Sequence, residues 1–587
     1  MSAMARLRGL PGAPGIATGP AWRYCESDPG TAAAVVATSG LEAEAAIRAA
    51  VDETARQLEG LAGQLRGLDR GEEAGIFDAQ ALMATDPLLL DDAIRRASAG
   101  TVPVEAVRLA ASVAADALAA LDDAYLAARA ADVRDVGARM IRILRGETLR
   151  LPTGPSIAVA DDLPPSVTAE IPPGLLLGIA LAGGSPTAHA VILARSLGIP
   201  AIVGVDGLLA AIDDAAAPGE ERAIAVAVDG ETGDVLLDPA PDEVERLEGR
   251  RCAIEDRRAR ARALRGRPCT TADGERVVLL ANIGTPADAP RALEAGAEGV
   301  GLFRTEFVFM GRQSAPTEAE QLEAYARVLA AFGPDRPVVI RLADIGGDKA
   351  IPYLGLPPEA NPFLGVRAIR LAYGSPDLLR TQLRAIWRAG AVTGVVPHVM
   401  APMVATLDDV DLLLSLRDEA RASVRAEGLP CAERVITGIM AEVPAAAFLA
   451  LELARRVDFF SIGTNDLTQY VLAADRGNAT LARFQDALHP AVLRAIAEVV
   501  AGADAVGIPV AVCGELAGDP AGALVLVGLG ADELSADAGS LDAVRAALFG
   551  ATRPELDALG RAALAATDAR TVRALAEALL CRVTAQP

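Results

Sequence analysis

Histidine is scarce in this chain: 587 residues contain three, His189, His398 and His489. The six cysteines (Cys25, Cys252, Cys269, Cys431, Cys513 and Cys581) are scattered without a CxxC pair, which excludes a disulfide framework and a zinc knuckle. Aromatic residues make up 3%, so cores must be built from Ala, Val, Leu and Ile. No uninterrupted apolar run approaches the roughly 20 residues that a bilayer span needs, and residues 1–12 lack the apolar stretch of a signal peptide. The expectation is a soluble cytoplasmic protein with no membrane insertion. Positive charge is also short: 55 Lys and Arg stand against 78 Asp and Glu, a formal charge of −23. That excess argues against nucleic acid as a partner and favours a basic partner or none.

The length implies two to four domains. Residues 1–30 are rich in Gly and Pro and read as loop and short strand. Residues 31–149 carry Ala, Leu, Arg and Glu at helical spacing, as in 41–68 and 104–121, and predict a helical subdomain. Residues 150–240 alternate short buried strands with helices. Together with 1–30 they predict a small α/β domain into which the helical subdomain is inserted. Residues 241–270 read as an exposed, charged linker helix and hinge. Residues 271–587 then show eight strand-like runs: Val277–Asn282, Gly299–Phe303, Val338–Leu342, Gly394–Met403, Thr437–Ala441, Phe459–Ile462, Pro509–Cys513 and Ala531–Ser535. Eight β/α units predict a (β/α)8 TIM-type barrel, with functional residues past the C-terminal strand ends. The fold class is therefore α/β multidomain.

Chemistry concentrates at those ends. One strand runs out through Leu302-Phe303-Arg304-Thr305-Glu306 and the next through Arg341-Leu342-Ala343-Asp344, with Gly346-Gly347-Asp348-Lys349 following. Others end in Met440-Ala441-Glu442, Asn465-Asp466 and Cys513-Gly514-Glu515, and Arg476 lies ten residues past Asp466. Carboxylate, amide and guanidinium together suit a hard cation and a phosphorylated anion. The Asn465-Asp466 stretch alone reads equally well as a capped turn after a core strand. Among the histidines, His398 reads as a core residue within a strand and His489, before Pro490, as a helix cap. His189 differs. It follows Gly183-Gly184-Ser185-Pro186-Thr187-Ala188, with Thr187 a candidate N-cap, and opens an apolar helix. There the free N–H groups and helix dipole favour a phosphoryl group on a nucleophilic imidazole. A histidine merely placed at a helix start is the alternative.

These motifs, spread from Pro14-Gly15-Ile16-Ala17 to Asp532-Glu533-Leu534-Ser535, closely resemble enzyme I of the phosphoenolpyruvate:sugar phosphotransferase system. The most specific are the histidine loop, Gly301–Phe307, Asp344–Lys349, Asn361–Arg367, Asn465-Asp466 and Cys513–Gly518. The resemblance implies that His189 is phosphorylated through Nε2 by phosphoenolpyruvate and hands the group to the phosphocarrier HPr, releasing pyruvate. It implies that Glu442 and Asp466 hold Mg²⁺, that Arg304, Arg341, Lys349 and Arg367 surround the phosphoryl group, and that Asn465, Asp466 and Arg476 bind substrate. Cys513 would protonate the enolate carbon. A homodimer through the barrel is also implied. Two departures stand out: Ala188 replaces the family's serine before the histidine, and Gln80 stands where many relatives have histidine. The segment 72–80, with Glu72-Glu73 and Ile76-Phe77, matches the HPr-docking region. Alternative readings are a non-catalytic regulatory relative, or an enzyme of the phosphoenolpyruvate synthase and pyruvate phosphate dikinase type without its ATP domain. No GxxxxGK[ST] loop occurs.

Overall fold

The computed structural model describes residues 5–24, 40–67, 71–120, 124–184, 189–215, 224–347, 349, 351–357 and 359–585; of 71–73, 124–128, 189, 352, 479 and 482 it describes the backbone alone. The chain forms two compact units, 1–255 and 256–587.

The first unit is built on an eight-stranded sheet: β1 (Ala5–Arg8), β2 (Leu10–Ala13), β3 (Ile16–Arg23), β4 (Ser156–Ala160), β5 (Leu176–Leu181), β6 (Ala201–Val203), β7 (Ala225–Asp229) and β8 (Asp234–Leu237). Their order is β1-β8-β7-β3-β4-β5-β6-β2, with β3 to β6 parallel and the flanks antiparallel. The five helices α1 (Gly40–Gly67), α2 (Gly71–Ala84), α3 (Pro87–Ser98), α4 (Pro103–Ala119) and α5 (Ala124–Arg145) all fall between β3 and β4. Those two strands pair directly, so the helical subdomain is an excursion between sheet neighbours.

Its helices pack on small residues. Along α1, Ala43, Ile47, Ala50, Val51, Thr54, Leu58, Leu61, Ala62 and Leu65 are buried, a single stripe of period 3.6. In α2 the buried residues Ala74, Phe77, Gln80, Ala81 and Ala84 form the matching stripe. Phe77 is fully buried in the bundle, so it is unavailable to a docking partner: the i, i+3 spacing turns it inward while Ile76 stays half-buried. Gln80 is buried as well and donates through Nε2 to Asp132 Oδ1 (3.2 Å) and Asp135 Oδ2 (3.3 Å) of α5. Those bonds satisfy the amide nitrogen that burial would otherwise leave unpaired. The side chains of Glu72 and Glu73 lie outside the described residues.

Three further helices, α6 (Pro165–Glu170), α7 (His189–Leu197) and α8 (Leu208–Ala215), cover the sheet, and α9 (Pro241–Ala263) follows it. The boundary between the two units falls within α9. Its first half is not simply exposed. Leu247 packs on Ile16, Ala227 and Leu236, and Glu248 accepts from Thr18 Oγ1 at 2.8 Å. The helix ends at Ala263, seven residues short of the expected limit at 270.

The second unit is a closed barrel of eight parallel strands: β9 (Val278–Ile283), β10 (Val300–Phe303), β11 (Val338–Arg341), β12 (His398–Ala401), β13 (Ile436–Ala441), β14 (Phe459–Ile462), β15 (Val510–Val512) and β16 (Glu533–Ala536). β9 closes on β16, with Ser535 opposite Leu280. The interior is filled by Leu302, Val339, Met400, Met440, Phe459 and Cys513. The strand expected over Gly394–Met403 shortens to His398–Ala401 because Gly394 (φ +71°) is the left-handed cap of the preceding helix, Pro376–Thr393. Among the described residues, no helix is long and apolar enough to cross a membrane.

Candidate active site at the barrel mouth

Each strand of a parallel barrel delivers its last side chains to one rim, and a cavity of about 400 Å³ lies there. It gathers Arg304, Glu306, Arg341, Asp344, Lys349, Glu442, Asn465, Asp466, Arg476, Cys513 and Glu515. These side chains follow β10, β11, β13, β14 and β15. A larger depression of about 840 Å³ adjoins it and shares Asn465, Arg476 and Glu515.

The cationic side is held by two buried carboxylates. Arg341 Nη2 donates to Glu306 Oε1 at 2.6 Å, and Arg341 Nη1 lies 3.7 Å from Asp344 Oδ2. Lys349 Nζ donates to the Asp344 carbonyl (2.9 Å) and to Oδ2 (3.2 Å). Arg367 forks onto the same carboxylate, Nε to Oδ1 at 3.0 Å and Nη2 to Oδ2 at 2.7 Å. Arg367 is fully buried behind Asp344 and is not among the cavity's lining residues. Burial alone would raise the Asp344 carboxyl, but Arg341, Lys349 and Arg367 outweigh it and hold the group well below the usual carboxylate range. Burial likewise opposes the Arg341 charge, and Glu306, Asp344 and Glu442 more than restore it. The loop that brings Lys349 back turns at Gly346 and Gly347, both at positive φ; a Cβ on Gly347 would stand 2.4 Å from the Pro362 carbonyl.

The anionic side consists of Glu442 and Asp466. Glu442 is buried, accepts from the Met403 N–H at 2.6 Å, and is driven well above the usual carboxyl range by burial, then by Asp466 and Asp344. Asp466 Oδ1 is buried without a hydrogen-bond partner, 3.7 Å from Arg476 Nη1. This close carboxylate pair, with the Asp466 oxygen left without a hydrogen bond, fits a hard cation that takes its remaining oxygens from substrate and water. Arg476 rests over the Phe363 ring, 5.8 Å from its centroid.

Cys513 stands just past β15, buried at the bottom of the cavity, with Sγ 3.6 Å from the Ile462 carbonyl. Burial pushes its thiol up to about 11; Glu442 adds to that, while Ser461, Arg341 and Arg304 oppose it. The group is therefore a protonated acid near neutral pH rather than a thiolate nucleophile. Gly514 follows because a Cβ there would lie 1.9 Å from Thr464 Oγ1. Beyond it, Asn465 and Glu515 bind reciprocally: Asn465 Nδ2 donates to Glu515 Oε1 (3.0 Å) and the Glu515 N–H to Asn465 Oδ1 (3.1 Å).

The cavity thus brings together eight of the ten residues expected to act, with Arg367 behind it. The tenth, His189, belongs to the other unit, where its backbone opens α7. Its side chain, and the 185–188 segment with Thr187 and Ala188, lie outside the described residues. His398 sits at the opposite end of β12 from the cavity, against Phe459, where burial lowers it to about 4. His489 caps its helix, Nδ1 accepting from the Ala491 N–H at 3.2 Å. Sequence reasoning assigned no role to Glu306, Asp344 or Glu515. The signal for the first two was present: arginines at the ends of buried strands require buried counter-charges nearby.

Three family models match the chain: "PEP-utilising enzyme, N-terminal" over residues 8–129, "PEP-utilising enzyme, mobile domain" over 152–233 and "PEP-utilising enzyme, PEP-binding domain" over 258–553. A multiphosphoryl transfer protein of Rhodobacter capsulatus is 42% identical over 575 residues, covering 97% of this chain and 67% of that protein. A phosphoenolpyruvate-protein phosphotransferase of Bacillus sp. (strain S) is 40% identical over 547 residues, 92% of each. One from Streptomyces coelicolor is 42% identical over 526 residues, covering 88% of this chain and 89% of that protein. The chain belongs to the phosphoenolpyruvate-protein phosphotransferase family of phosphoenolpyruvate-utilising enzymes.

Proposed function

We propose that this enzyme moves the phosphoryl group of phosphoenolpyruvate to its own His189 and then to a histidine of the phosphocarrier HPr, releasing pyruvate. The observation that carries the reading is one cavity in which Arg304, Arg341 and Lys349 face Glu442 and Asp466, with the protonated Cys513 thiol beside them. Phosphoryl transfer needs charge neutralisation and alignment more than covalent assistance. Arg304, Arg341 and Lys349 neutralise the phosphoryl oxygens, and Asp344, with Arg367 bonded behind it, holds the cationic wall in place. Asn465 and Arg476 orient the substrate carboxylate. Glu442 and Asp466 would hold Mg²⁺, which supplies Lewis-acid stabilisation of phosphate and enolate oxygen. The P–O bond breaks as a P–N bond forms to His189 Nε2, and its electron pair passes into the enolate of pyruvate. Carbon 3 then takes the Cys513 proton, and the thiolate recovers one from water.

HPr as acceptor and a homodimer formed through the barrel belong to this reading on the strength of the family resemblance. Base-quenched incubation with phosphoenolpyruvate and Mg²⁺ tests it. An acid-labile gain of one phosphoryl group, absent in His189→Ala, is expected; an unlabelled wild-type protein leaves the regulatory reading instead.

A further inference from the structure

If Cys513 is the proton donor, the strand end that carries it must be aimed. The β15–β16 ladder stops at Val512, opposite Leu534, so Cys513 is the first residue beyond it. Its N–H is held by the Ile462 carbonyl of β14 at 3.0 Å. Its carbonyl is met by a side chain from two strands away: Asn282 of β9 donates through Nδ2 at 3.1 Å. A backbone carbonyl only accepts, so the amide nitrogen must face Cys513 and Oδ1 must face the other way. There Ser535 Oγ of β16, the intervening strand, donates to Oδ1 at 2.7 Å. Ser535 is fully buried, and Gly301 of β10 makes room for it: a Cβ on Gly301 would lie 2.6 Å from the Ser535 side chain. Ser535 thus sets the amide, and the amide replaces the ladder bond that β16 no longer supplies. Asn282 is not among the residues lining the substrate cavity.

We propose that Asn282 is a positioning residue for proton delivery, with Ser535 orienting its amide. The pair holds the Cys513–Gly514 peptide so that Sγ faces the methylene carbon of the enolate. In that step the S–H bond breaks and a C–H bond forms at carbon 3. The enolate's electrons close the carbonyl at carbon 2, and water reprotonates the thiolate. The proposal rests on Cys513 being the acid of the proposed function. It predicts an effect on protonation that phosphoryl transfer does not share.

Single-turnover measurements on the full chain with Mg²⁺ and phosphoenolpyruvate separate the two. Base quenching follows the phosphoenzyme, and lactate dehydrogenase, which takes the keto form, follows pyruvate. In wild type the two should rise together. In the isosteric Asn282→Asp, which keeps the Ser535 bond and loses the donor to Cys513, phosphoenzyme should form within about twofold of wild type. Pyruvate should lag by about tenfold to a hundredfold, the loss that ångström-scale misplacement causes. The lag should carry a solvent deuterium isotope effect absent from the phosphoryl arm. Ser535→Ala, a milder change, should lag in the same direction by less, and carries the test if Asn282→Asp does not fold. Equal rates in both arms, fast or slow, overturn the proposal. Cys513→Ala keeps the two ideas apart: if it shows no lag, the assignment of Cys513 as the acid fails; if it lags and Asn282→Asp does not, only the positioning role fails.

Discussion

Asp344 illustrates how a single residue organises the cation wall. Its carboxylate takes Arg367 and Lys349 directly and Arg341, which Glu306 also holds, at longer range, and the fully buried Arg367 depends on it most. Asp344→Asn keeps the shape and removes the charge. It is expected to destabilise the barrel unit by about 3–5 kcal/mol, the usual cost of breaking a buried pair, seen as a lower denaturation midpoint with unchanged slope. Phosphoenzyme formation should fall with it. Cys513 makes a different prediction. With its thiol raised to about 11, it should resist iodoacetamide at pH 8 while the exposed Cys252 and Cys581 react, and its alkylation should climb only above about pH 10. Rapid labelling of Cys513 at pH 8 would show a thiolate and remove the acid role. At this scale the sequence was partly legible. Residue types at strand ends pointed to phosphate and metal chemistry. Which carboxylate serves which arginine depends on side chains that converge from different strands. That is why Arg367, expected around the phosphoryl group, instead packs behind Asp344, and why Phe77 faces the helical bundle.

Among the elements, the strands were found to within about two residues because continuous apolar runs between helical segments mark a parallel sheet buried on both faces. The exception, Gly394–Met403, merged a helix cap, a loop and a strand into one apolar run. The C-terminal ends of the strands carry the site; the other ends carry stability. Glu533 opens β16 at the far end, where burial and then Asp532 raise its carboxyl to about 7. The unfolded value is about 4.3, so the folded state prefers the protonated form. Its contribution is fully present below the unfolded value and is lost as pH rises through about 7. Glu533→Gln should therefore melt higher than wild type at pH 8 and equally near pH 4. A gain that persists at pH 4 would point to packing rather than titration. Near the mouth, Gly514→Ala would press a Cβ into Thr464. A cost of about 1–3 kcal/mol is expected from overpacking, together with slower pyruvate release, because the shift propagates into Cys513.

For the molecule as a whole, two compact units with separate cores should unfold as two calorimetric transitions. In His189→Ala, which cannot consume it, phosphoenolpyruvate with Mg²⁺ should raise only the barrel transition, by about 2.7 kcal/mol at a hundredfold excess over Kd. A rise in both transitions would place ligand contacts outside the barrel. Hydrophobic period along the chain by itself pointed to an α/β domain with an inserted helical subdomain and a (β/α)8 barrel, because that signal is local and repeats at 2.0 or 3.6 residues. The motifs likewise determined the family. Only tertiary structure decided that β9 closes on β16, that Asn282 reaches the Cys513 carbonyl, and that Asp344 serves three cations. The first two of these join residues more than 200 positions apart, 253 in the case of Ser535 and Asn282, and their geometry follows from barrel closure and register, which no local pattern encodes.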